Sequence, residues 1–61
     1  MVQAEKNRLV DTRVLLNNRP ARIIGRLLPF PRVRDMRADI EAEFAWETVA
    51  RVVAAGGRFK I

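Results

Sequence analysis

Cysteine, histidine, serine and tyrosine are all missing from this 61-residue chain, and each absence removes a class of function. Without cysteine no disulfide can staple a chain so short that it buries only ~60% of its unfolded surface. Without cysteine and histidine, a structural zinc site has none of its usual ligands. Thr12 and Thr48 are the only hydroxyl side chains. No imidazole is there to activate them, so nucleophilic catalysis lacks its parts. Glycine is scarce, and Gly56-Gly57 follows a helical pattern where a phosphate-cradling loop would precede one. No apolar run approaches the ~20 residues a bilayer span needs. The first ten residues are too polar for a signal peptide.

The carboxylates do not repair this deficit. Asp39, Glu43 and Glu47 are spaced four apart, and paired carboxylates do acid–base work when burial splits their pKa values. Here the pattern puts them on the charged side of a helix, where solvent keeps them alike. The chain therefore reads as a protein that is not an enzyme, with no cofactor, no metal and no small-molecule substrate.

What is abundant is arginine. Lys6 and Lys60 are the only lysines, so arginine supplies ten of the twelve basic residues behind a net charge of +5. The charge is lopsided: residues 1–34 hold eight bases against two acids, and residues 35–61 hold four against five. Between Arg19 and Arg34 the residues Arg19, Arg22, Arg26, Arg32 and Arg34 meet no acid. A guanidinium fork suits phosphates and carboxylates equally, so this run marks candidate contacts to an anion or nucleic acid.

The pattern along the chain predicts an α+β fold: one small domain with an N-terminal β-hairpin, one long helix and a short C-terminal strand. Residues 1–11 carry too thin a pattern to fix an element, and read as a flexible or partner-bound arm. Residues 12–28 read as a hairpin, TRVLL and ARIIGRLL being strands around the turn NNRP. Val10–Asn17 as a short helix is the rival reading. Residues 29–34 form a connector, because Pro29 and Pro31 hold Leu28 and Phe30 extended. A helix over 35–55 follows from Asp35 as N-cap, six alanines, acids in the first half and Gly56-Gly57 as the stop. Residues 58–61 alternate polar and apolar, as an edge strand would.

Such a helix has two apolar faces. Met36, Ile40 and Phe44 line one, and Trp46, Val49 and Val53 lie on another. If the first covers the hairpin, the second has no cover within so small a chain. Trp46, Val49 and Val53 are therefore candidate partner contacts, together with Phe30 on its proline-braced strut. The function expected is that of a structural or interaction subunit of a larger assembly: a virion, a secretion-type machine or a nucleoprotein particle. Its partners would be other protein subunits or copies of itself, in the cytoplasm or in a phage or virus particle. The alternative is a small basic nucleic-acid-binding regulator of phage or plasmid type.

Overall fold

The computed structural model describes every residue from Met1 to Ile61. The order is helix α1 (Gln3–Val10), strands β1 (Arg13–Leu16), β2 (Arg19–Ile24), β3 (Arg32–Asp35) and β4 (Glu41–Glu43), helix α2 (Trp46–Ala54) and strand β5 (Arg58–Phe59). The class is α+β. All five strands form one sheet in the order β4-β3-β2-β1-β5; β1 to β4 are an antiparallel meander, and β5 joins β1 in parallel. The sheet curls until its two ends touch. Phe44, just past β4, lies against Phe59 of β5 with ring centroids 5.1 Å apart.

The long helix over 35–55 does not exist. Its first half is the end of β3, a turn and β4, and only Trp46–Ala54 is helical. Glu, Ala and Arg favour helices, but propensities amount to tenths of a kcal/mol per residue and pairing in a sheet overrides them. Asp35 still uses its carboxylate on free backbone N–H groups, although in a turn: the Asp39 N–H donates to Asp35 Oδ1 at 2.8 Å. Ala38 closes that turn at φ +59°, which sequence patterning does not foresee for alanine. The connector assigned to 29–34 likewise gives way to β3 from Arg32 onward.

An N-terminal hairpin also misdescribes the start of the chain. Helix α1 occupies most of the segment assigned to an arm, and the β1–β2 pair is the middle of a larger sheet. Asn17 and Asn18 link the pair at φ 51° and 67°, the two left-handed residues of a type I′ turn. At the other end α2 stops in a Schellman arrangement: the Gly57 N–H donates to the Val52 carbonyl and the Gly56 N–H to that of Val53. That reversal turns the chain so that β5 runs alongside β1.

Val14, Leu16, Ala21, Ile23 and Val33 alternate onto the inner face of the sheet. Val49 and Phe59 meet them, and Leu9, Val10, Ile40, Phe44, Val52 and Val53 pack around the rim. Helix α1 contributes no fully buried residue and has no side-chain cap. It nonetheless lies beside α2, with Lys6 Nζ 5.3 Å from the Trp46 ring. Neither helix is long and apolar enough to cross a membrane.

Candidate nucleic-acid interface

Alternation in the sheet sends one set of side chains inward and the other outward, and the outward set is dominated by arginine. Arg13 of β1 is opposite Arg22 of β2, Arg22 is opposite Arg34 of β3, and Arg34 is opposite Glu41 of β4. Three guanidinium groups thus form one row across three strands before an acid appears. Counting from the two-residue turn, Leu16 and Arg19 are a hydrogen-bonded pair, so Arg13 and Arg22 fall in a non-hydrogen-bonded pair. That is the closer kind, with Cα atoms about 4.5 Å apart. Like charges so placed repel each other.

The five arginines singled out in the sequence do not form one site. Arg19 lies at the end of an inward-facing row, its Nη1 3.4 Å from Asp35 Oδ2 and 3.9 Å from Asp39. Burial pushes the Asp35 carboxyl up. The N–H groups of Asp39 and Ile40 and the Arg19 guanidinium more than offset this, leaving it below the ordinary carboxylate range. A polar hollow of about 500 Å³ opens there, but its arginine is already engaged. Arg32 and Arg34 face outward and grip Glu41 at 3.3 and 3.2 Å, with Glu43 4.0 Å from Arg32. The Arg34 hydrogen bond foremost, with help from Arg32, holds Glu41 below its usual pKa against some desolvation. Arg26 sits in the loop after β2.

Of that set only Arg22 and Arg26 have no carboxylate in ion-pair reach, and the structure adds Arg13 and Arg58, which are equally free. Arg58 is opposite Leu15 on the outer face. Sequence reasoning missed both because they are distant from the 19–34 run. The usable signal was the alternation in TRVLL, which puts Arg13 on the face opposite to the buried Val14.

Beside the row lies a groove of about 410 Å³, lined by Arg13, Arg22, Leu15, Pro20 and Met36 and reaching as far as Gly56 and Gly57. Met36, assigned by the helical pattern to the core, is exposed here.

The proposed partner contacts are split as well. Trp46 is 5% exposed and Val49 is 0% exposed, so both belong to the interior of this chain, and Val53 is half-buried against the same core. Helix α1 and the curled sheet supply the cover that a lone long helix would have lacked. Phe30 remains exposed, in the Gly25–Pro31 loop with Leu27 and Leu28. No three Asp or Glu side chains converge as metal ligands would. No protein-family model, curated protein or solved structure matches the chain.

Proposed function

We propose that the protein is a small non-catalytic module that binds the phosphate backbone of nucleic acid on the outer face of its sheet. The supporting observation is the Arg13–Arg22–Arg34 row. Its two free arginines face each other across a close strand pair with no acid between them, at a cost to the fold that a bound polyanion would reverse. Phosphate contacts of this kind give sequence-independent binding that weakens steeply with salt. Titration of the chain with DNA and RNA oligonucleotides over a salt series tests this. Arg13→Ala and Arg22→Ala should weaken binding alike for all sequences and each reduce the salt slope by about one unit. Arg51→Ala, on helix α2, should change neither. Absence of binding at about 50 mM salt, where such contacts are strong, would refute the proposal.

A second reading, a subunit docked in a larger assembly, has a separate support. Leu27 is 83% and Phe30 53% exposed, in a loop stiffened by Pro29 and Pro31. Contiguous exposed apolar side chains mark contact surfaces more often than isolated ones do. Under this reading the free chain self-associates or co-purifies with protein partners through 27–30, and Leu27→Asp with Phe30→Asp abolishes that without affecting nucleic-acid binding. Sedimentation of the two proteins separates the readings.

A further inference from the structure

The groove beside the arginine row is larger than a phosphate needs, and its floor is apolar. We propose that it is a nucleotide subsite for single-stranded nucleic acid, with a phosphate between Arg13 and Arg22 and the adjoining base laid on Leu15, Pro20 and Met36. This rests on the preceding reading of the sheet face as a nucleic-acid surface, and adds to it which form of nucleic acid is bound and how.

Three features of the structure support it. Met36 is a large apolar side chain held out of the core, because its N–H donates to the Pro20 carbonyl at 2.9 Å and so continues the β2–β3 ladder outward. Pro20 is two residues from Arg22 on one strand, which sets the apolar floor about 7 Å from the arginine row. A sugar bridges such a separation between a phosphate and its base. At its far end the groove reaches Gly56, where even an added Cβ would meet nothing within 4 Å, so a strand leaves the groove there without a steric stop.

The volume of about 410 Å³ falls in the range of small-ligand sites. An apolar floor takes the face of a base, and only an unpaired base offers its face. Leu15, Pro20 and Met36 carry no side-chain hydrogen-bond donor and no acceptor beyond the weak thioether sulfur of Met36, so the subsite takes the face of any base and reads none.

Fluorescence anisotropy on the full chain tests this with three probes: an oligothymidylate, an abasic oligonucleotide with the same number of phosphates, and a duplex. The wild type should prefer the oligothymidylate to the abasic strand by about threefold to tenfold, at or below the lower end of what stacking on an aromatic ring gives, because the floor is aliphatic. Met36→Ala should remove that preference while binding the abasic strand as the wild type does, and Met36→Leu should keep it. Equal binding of the two strands by the wild type, a preference that survives Met36→Ala, or tighter binding of the duplex would each overturn the subsite. Failure of all three probes to bind would instead remove the underlying reading of the sheet face. If Met36→Ala fails to fold, the comparison of the two strands by the wild type decides alone.

Discussion

Arg13→Glu should make the protein more stable and a worse binder, and the two effects have one cause. Arg13 and Arg22 face each other in a non-hydrogen-bonded pair, the geometry that brings side chains closest. An opposite-charge pair there contributes about 0.2–1 kcal/mol relative to alanine, and a like-charge pair costs a similar amount. Reversing one charge therefore changes the interaction by roughly 0.5–1.5 kcal/mol, less a few tenths because glutamate suits a strand poorly. For a domain this small, a gain near 0.5–1 kcal/mol raises the melting temperature by about 2–8 °C. Thermal melts followed by circular dichroism at ~10 mM and 1 M salt read the effect, and most of it should vanish at high salt because the Debye length shrinks from ~30 to 3 Å. Arg13→Gln, which removes the repulsion without adding attraction, should give part of the gain. Salt titrations of the same proteins with an oligonucleotide should show binding lost as stability rises. A lower melting temperature for Arg13→Glu at low salt, or a gain indifferent to salt, would refute the idea that this row is frustrated in the free protein.

Further outcomes follow from the interior and the turns. Trp46 Nε1 is buried with no acceptor, so Trp46→Phe should be close to neutral in a denaturant melt, whereas Trp46→Ala should cost about 3–5 kcal/mol. Ala45→Pro, which a continuous helix would not survive, should cost little, because Ala45 is the extended N-cap of α2 at φ −76°. Replacing Asn18, at φ 67°, with valine should cost about 1–2 kcal/mol, while glycine should be tolerated. The folded-state pKa of Asp35 is lowered, so its contribution is present above the unfolded value of about 4 and is lost as pH falls through the folded value. Between neutral pH and the acid limb Asp35→Asn should therefore lose stability less steeply than the wild type.

The α+β class and a turn at Asn17-Asn18 were legible in the sequence because they depend on neighbours along the chain, although the turn read as NNRP is shorter, Arg19 and Pro20 already belonging to β2. TRVLL and the first half of ARIIGRLL are β-rich, and asparagine accepts the left-handed conformation that a two-residue turn requires; the strand read through Leu28 stops at Ile24, where Gly25 turns the chain at φ 89°. The Gly56-Gly57 stop was legible for the same reason, since a helix end is a local event. Absence of cysteine and histidine likewise needs no structure to interpret.

The segment 32–43 was decided elsewhere. Arg32-Val-Arg and Glu41-Ala-Glu alternate with complementary charges, which is a strand signal. Their arginine, alanine and glutamate residues are good helix formers, so local chemistry points both ways. Pairing between β3 and β4 and the buried Asp35 carboxylate in the turn tip the balance, and they outweigh the cost of a left-handed Ala38. Loss of the long helix then reassigns everything that depended on it: Trp46 and Val49 go inside, under α1 and the curled sheet, and Met36 goes outside. The arginine face followed the same rule. Composition announced an excess of arginine, but which arginines stand free was set by strand register, which places Arg13 beside Arg22 and gives Arg32 and Arg34 to Glu41. Register is a relation between distant residues, fixed when a whole hydrophobic face is buried at once, and that makes it a property of the tertiary structure.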